Sequence, residues 1–180
     1  IANCLRFDTL VEIFPDAEFV FLVRDPRPNI SSMIEGWSHF DKPQLDSVVQ
    51  SVEDSSVDCW TYPAPPGWQD IIGRKLPEIC AWTWRQHVEF ALSGLDDVSS
   101  VHWVRYEELR DSPFGVIERL SNVLGLEWNK YVQGFLRDNP SSRTTVSDPE
   151  KGKWKRKNKE EVLSILNEVS RTSKKLGYEV

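Results

Sequence analysis

Arg24, Ser31 and Ser32 are the residues whose types and spacing bear most directly on chemistry. Five apolar residues, Phe19 to Val23, run unbroken into Arg24, with Glu18 on the other side. Such a run predicts a strand buried on both faces of a parallel sheet. Asp25 can cap the helix that follows, and Pro26 suits its first position. Arg24 then sits at the carboxyl end of a strand, with Ser31 and Ser32 early on the next helix. Ligands of open α/β sheets bind at that edge. A forked guanidinium beside a helix amino terminus makes an anion site. A surface salt bridge from Arg24 to a nearby carboxylate would account for the same residues.

The elements that must position these groups are legible along the rest of the chain. Arg6 to Phe14 reads as a helix with Leu10, Val11 and Phe14 on its apolar face, ended by Pro15-Asp16. A helix from about Pro26 to Trp37 follows the first strand. Residues 38 to 76 are polar and Pro-rich, and Tyr62-Pro63-Ala64-Pro65-Pro66-Gly67-Trp68 fits neither a regular helix nor a central strand. A segment of this kind can serve as a lid or acceptor loop, or be a plain excursion. Pro77 to Leu92 reads as a helix with a broad apolar surface that includes Trp82, Trp84, His87 and Val88. Val101 to Tyr106 is rich in β-branched and aromatic residues and predicts a second strand. Helices then follow from Ser112-Pro113 to Gly125, from Trp128 to Leu136, and from Lys159 to Leu176 with Gly177 as the stop. Asn139 to Gly152 is turn-rich. Strands alternating with helices imply an α/β fold, a parallel sheet covered by helices, in a single domain over residues 1–180. Two strands are few for an open sheet, so the reading is of a domain that is amino-terminally incomplete.

Bulk properties narrow the function classes. The chain has 180 residues, with 39% hydrophobic and 28% charged, as in an ordinary globular domain. A net charge of −6 disfavours generic binding to nucleic acid. No run of eighteen apolar residues marks a membrane span. Lys151, Lys153, Lys155, Arg156, Lys157 and Lys159 nevertheless crowd one short stretch. Such a run serves as a solvated loop and helix start, or as an anion site for a phosphorylated ligand. Cys4, Cys59 and Cys80 are far apart and, like His39, His87 and His102, lack metal-ligand spacing. Free thiols and no metal are expected, with a cytoplasmic setting.

The segment FPDAEFVFLVRDPRPNISSM resembles the 3′-phosphate-binding segment of sulfotransferases that use 3′-phosphoadenosine 5′-phosphosulfate. That family places a Ser eight residues after a strand-end Arg, matched here by Arg24 and Ser32. The resemblance implies the P-loop-like sulfotransferase fold, and Arg24 and Ser32 as holders of the donor's 3′-phosphate. Tyr106, in VRYEEL, matches the family's Tyr beside the adenine; an ordinary core or rim aromatic is the other reading. Glu107 would orient local backbone or pair with Arg105. Residues 143 to 154, RTTVSDPEKGKW, resemble the carboxyl-terminal donor loop, where Gly152 and Trp154 match its Gly-x-Trp. The Arg-Lys-Gly triplet of cytosolic members is missing; Arg143 and Lys151 are the available substitutes, and Lys153 is placed with them among the donor-binding residues. Trp154 reads as a packing anchor.

The same resemblance implies sulfuryl transfer to a hydroxyl or amine on a small-molecule, glycan or peptide acceptor. Such transfer rests on positioning and on cations at the developing charge. The Gly-rich Ser/Thr loop that the family uses for the 5′-phosphosulfate does not occur in the 180 residues. No catalytic base is identified; His39, near the acceptor loop with Trp37, is the candidate. The missing loop also leaves open a non-catalytic nucleotide- or protein-binding module of the same fold. A nucleoside-kinase-like phosphotransferase would need Gly-x-x-x-x-Gly-Lys-Ser/Thr, which is absent.

Overall fold

The computed structural model describes residues 2–39, 62–95, 98, 100–138 and 146–180. A 3₁₀ turn over Ala2–Arg6 leads into α1 (Phe7–Ile13), followed by β1 (Phe19–Val23) and α2 (Pro26–His39). A second 3₁₀ turn, Trp68–Ile71, precedes α3 (Leu76–Gly94) and β2 (Val101–Arg105). The remainder is helical: α4 (Tyr106–Asp111), α5 (Pro113–Val123), α6 (Lys130–Arg137), α7 (Trp154–Lys157), α8 (Lys159–Ser164) and α9 (Leu166–Lys175).

β1 and β2 pair in parallel, in a register that runs from Phe19 opposite Val101 to Val23 opposite Arg105. A parallel pair needs a crossover, supplied here by the chain that includes α2 and α3. Among the described residues these two strands form the sheet. The expectation that β1 is buried on both faces is corrected. Val23 is buried, but Val20 and Leu22 are 46% and 50% exposed, and Trp103 on β2 is 47% exposed. Burial does not follow one face across the pair: Val104, opposite Leu22, is 2% exposed, and the exposed Trp103 is opposite Phe21, which packs against the core.

The core gathers Val23 of β1, helices α2 and α3, and the carboxyl-terminal helix. Val23, Ile30, Met33 and Trp37 meet Ile79, Cys80 and Trp84 of α3, and Ile165, Val169, Leu176 and Tyr178 close it from the carboxyl-terminal side. The Pro-rich stretch also packs here. Trp68 and Pro65 are buried, the Tyr62 hydroxyl donates to the Met33 carbonyl at 3.2 Å, and the Tyr62 and Trp37 rings stand 5.3 Å apart. Its described part is thus bound to α2 rather than a free excursion. Residues 40–61 of the predicted loop lie outside the described residues.

Three helix boundaries differ from expectation. The first helix begins at Phe7, because the preceding residues take the tighter 3₁₀ form. α6 begins at Lys130, where the Asn129 side chain caps it by accepting from the amides of Tyr131 and Val132. The single helix expected from Lys159 to Leu176 is two, broken at Ile165. The Ser164 hydroxyl donates back to the Glu161 carbonyl at 2.7 Å, a local bond that competes with the helix ladder. The break lets Ile165 stay 1% exposed alongside Val162 and Val169. Gly177, at φ +74°, ends α9 as predicted; a Cβ there would stand 2.7 Å from Arg105 Nη2.

Candidate anion site at the carboxyl edge of the sheet

The strand register builds the site. Val23 opposes Arg105, so Arg24 and Tyr106, each one residue further on, leave the sheet side by side. The Arg24 guanidinium lies over the Tyr106 ring, 4.3 Å from its centroid. Its Nε is buried and donates to no partner. Burial lowers the Arg24 pKa, against the opposing pull of the neighbouring Tyr106, Glu107 and Asp25. Guanidinium remains charged in proteins, so Arg24 is a partly desolvated cation whose buried nitrogen is unsatisfied. Ordinary buried polar groups are paired, and an orphan of this kind calls for an explanation.

The carboxylates nearby are engaged elsewhere. Asp25 caps α2 by accepting from the Arg27 amide at 2.9 Å, and it holds the Arg27 guanidinium in a two-pronged pair, Nη2 to Oδ2 at 2.7 Å. Glu107 accepts from the Asp25 amide at 3.1 Å and from the Tyr178 hydroxyl at 2.8 Å. It therefore orients local backbone. Arg105, its other expected partner, instead lies over the Tyr178 ring at 4.6 Å and donates to the Leu176 carbonyl at 3.1 Å. The salt-bridge explanation of Arg24 fails among the described residues, because no carboxylate is paired with it.

Arg24 opens onto a cavity of about 470 Å³ whose wall includes Ser31, Ser32, Tyr106, Lys153 and Trp154. That volume is in the range of sites for nucleotide-sized ligands. Four of the residues singled out from sequence, Arg24, Ser32, Tyr106 and Lys153, thus share one wall. Ser32 is exposed and donates its proton to the Pro28 carbonyl at 2.9 Å, one turn back. To donate to an anion its hydroxyl must turn away from Pro28. Ser31 is buried, and its hydroxyl and carbonyl both accept from the Asn158 amide, at 2.9 and 3.1 Å.

The other sequence candidates lie apart. Lys151 and Gly152 precede α7 and are outside the cavity wall. Gly152, at φ +74°, provides a left-handed turn, and its carbonyl accepts from Lys155 at 3.0 Å. Arg143 lies outside the described residues. His39 is the last residue of α2, and its side chain is outside them too. Among the described residues no group of three or more His, Cys, Asp or Glu is placed to hold a metal. Cys4 and Cys80 are free thiols. No described helix is long and apolar enough to cross a membrane.

Sequence reasoning missed Glu35, which joins the loop to α2. Its carboxylate accepts from Ser147 Oγ at 2.5 Å and from Lys153 Nζ at 3.2 Å, and pairs with Lys157 Nζ at 3.2 Å. Lys153 Nζ also bonds Ser147 Oγ. Burial opposes ionisation of Glu35, but the bonds from Ser147, Lys153 and Lys157 outweigh it and hold the carboxyl below its ordinary value. Trp154 is anchored alongside, with the Arg27 guanidinium 5.9 Å and the Lys155 ammonium 5.7 Å from its ring. The signal for Glu35 was available: Pro28, Ser31, Ser32 and Glu35 fall on one helical face, three, four and seven residues apart.

A sequence model described as "Sulfotransferase family" matches residues 1–130. The chain belongs to the sulfotransferase family. The match spans the strand-end Arg24, Ser32 and Tyr106, whereas Lys153 and Trp154 lie beyond it. No curated protein and no solved structure matches the chain significantly. The α/β arrangement, mostly helical with a small parallel sheet, is consistent with a sulfotransferase-like fold.

Proposed function

We propose that this chain carries the 3′-phosphate end of the donor site of a sulfotransferase that uses 3′-phosphoadenosine 5′-phosphosulfate. The observation that carries the reading is the orphaned, buried Nε of Arg24 at the wall of a nucleotide-sized cavity. A phosphate would satisfy that nitrogen and neutralise the guanidinium through charge-assisted hydrogen bonds. The Tyr106 ring, fixed under Arg24, would lie beside the adenine. Lys153 is held at the cavity wall by Glu35 and would add positive potential to the bound phosphate, with Ser32 contributing its hydroxyl after turning. The reaction would move a sulfuryl group from the donor's phosphosulfate to an acceptor hydroxyl or amine, with no metal among the participating residues. Arg143, Lys151 and Gly152 belong to the same proposal as parts of the loop that closes over the donor. His39 stays in it as a base.

The phosphorus-31 resonances of adenosine 3′,5′-bisphosphate test which phosphate the site holds. Titration with the chain is expected to shift and broaden the 3′-phosphorus signal more than the 5′ signal. Equal broadening of both, or of neither, overturns the assignment of Arg24 to the 3′-phosphate.

A further inference from the structure

The end of α9 brings a tyrosine up to Glu107, the residue that follows Tyr106. Gly177 donates its amide to the Lys174 carbonyl, and Tyr178 donates its amide to the Ser173 carbonyl, both at 3.0 Å. With Gly177 in the left-handed region, these two bonds close the helix and turn the chain back on the core. Tyr178 is left 8% exposed, with the Arg105 guanidinium 4.6 Å from its ring centroid. A buried tyrosine hydroxyl needs a partner. Here it donates to Glu107 Oε2 at 2.8 Å. Burial, and after it the bond to Glu107, push the Tyr178 pKa up, so the hydroxyl keeps the proton it donates.

Glu107 is the carboxylate that could disarm Arg24. Burial lowers the Arg24 pKa, and the Glu107 charge is among those near enough to oppose it. Yet Arg24 Nε has no partner, and no ion pair of Arg24 occurs among the described residues. A carboxylate free to rotate would turn to a guanidinium, because charge-assisted bonds are about twice as strong as neutral ones. Glu107 is not free to rotate. Oε1 accepts from the Asp25 amide at 3.1 Å, a group fixed in the backbone, and Oε2 accepts from Tyr178. One bond on each oxygen sets the plane of the carboxylate and directs it away from Arg24.

We propose that Tyr178 is a positioning residue of the anion site: by holding Glu107 Oε2 it keeps that carboxylate off Arg24 and leaves the guanidinium vacant for an external anion. Tyr178 lies outside the residues 1–130 that the family model matches, so the tail of this chain adds a part that the matched segment lacks. The consequence for the nucleotide rests on the donor reading above. The effect on Arg24 itself does not.

Nitrogen-15 NMR of the Arg24 Nε–H group reads the effect in the free chain. In Tyr178→Phe, Glu107 is expected to turn and pair with Arg24, slowing exchange of that proton with water roughly tenfold, the worth of one charge-assisted bond. In Tyr178→Phe/Glu107→Gln the original rate is expected to return, because the glutamine carbonyl still accepts from the Asp25 amide but has no charge to offer Arg24. A tyrosine that only packs the tail would show no such rescue. Glu107→Gln alone is expected to leave the rate unchanged; a faster rate would mean that Glu107 already holds Arg24 and would overturn the proposal, even if Tyr178→Phe does not fold. An unchanged rate in folded Tyr178→Phe would overturn it as well. Calorimetric titration with adenosine 3′,5′-bisphosphate reads the ligand side. Tyr178→Phe is expected to weaken binding roughly tenfold, and the double variant to regain most of it. If the unaltered chain shows no preference for the bisphosphate over adenosine 5′-monophosphate, the donor reading falls, and the exchange rates alone judge the role of Tyr178.

Discussion

Replacing Arg24 with Met separates a residue kept for a ligand from one kept for the fold. In the free protein the Arg24 Nε is buried and unpartnered among the described residues, and the guanidinium lies over the Tyr106 ring. An unsatisfied buried polar group costs about 1–3 kcal/mol. The cation–π contact returns about 0.5–2 kcal/mol. Met has a similar apolar stem and lacks both terms, so Arg24→Met is expected to leave stability unchanged or raise it by about 1–2 kcal/mol. For a chain of this length that is a rise in Tm of no more than about 8 °C, at roughly 2–4 °C per kcal/mol. Ligand binding is expected to move the other way. Losing one partner of a desolvated charge pair costs about 2–5 kcal/mol, a factor of roughly 30 or more in Kd. The assays are thermal unfolding by circular dichroism and calorimetric titration with adenosine 3′,5′-bisphosphate. A variant that melts several degrees lower and binds the nucleotide unchanged would refute both halves of the reasoning.

The Glu35 anchor, the Tyr178 tether and the His87 ring give three further expectations. Glu35→Ala removes the acceptor of Ser147 and Lys153; the loss of one charge-assisted bond, about 1.5 kcal/mol, is expected to speed amide exchange near residues 147–153 roughly tenfold. Because the folded pKa of Glu35 lies below its ordinary 4.5, its contribution is present above that value and is lost as the pH falls through the folded value, so loop exchange in the unaltered chain should quicken in acid and that of Glu35→Ala should not. Tyr178→Phe deletes the donor to Glu107, a bond to a charged acceptor worth about 1.5–3 kcal/mol, and is expected to lower Tm by roughly 3–12 °C while circular dichroism keeps its helical signal. Burial depresses the His87 pKa below 6.5, so the folded state should lose stability as the pH drops under 6.5 and until the folded value is passed. Urea unfolding of His87→Asn should show a flatter pH dependence over that window, and an equal slope would contradict the buried neutral ring.

Local signals carried much of this site. The apolar run into Arg24, the Asp25 cap and Pro26 needed only near neighbours, and the structure has the strand, cap and helix in that order. Tyr106 was marked by the end of the second strand. The stacking of Arg24 on Tyr106 was not legible, because it depends on which residues of β1 and β2 face each other, and register is a property of the pair. An unbroken apolar run cannot say which of its faces a helix will cover, so the exposure of Val20 and Leu22 was not legible either. Glu35 shared a visible face with Ser32, but its partner Lys153 is 118 residues away. The break at Ile165, where the amide bonds the Val162 carbonyl at 3.4 Å, interrupts a helical pattern that runs on through it in the sequence.

The most direct test of the donor-site account is calorimetric titration of the chain with adenosine 3′,5′-bisphosphate beside adenosine 5′-monophosphate. The two nucleotides differ only in the group that Arg24 is proposed to hold. Saturable binding of the bisphosphate, with at least a roughly 30-fold weaker Kd for the monophosphate, is the predicted result. Equal affinity for the two nucleotides would contradict it.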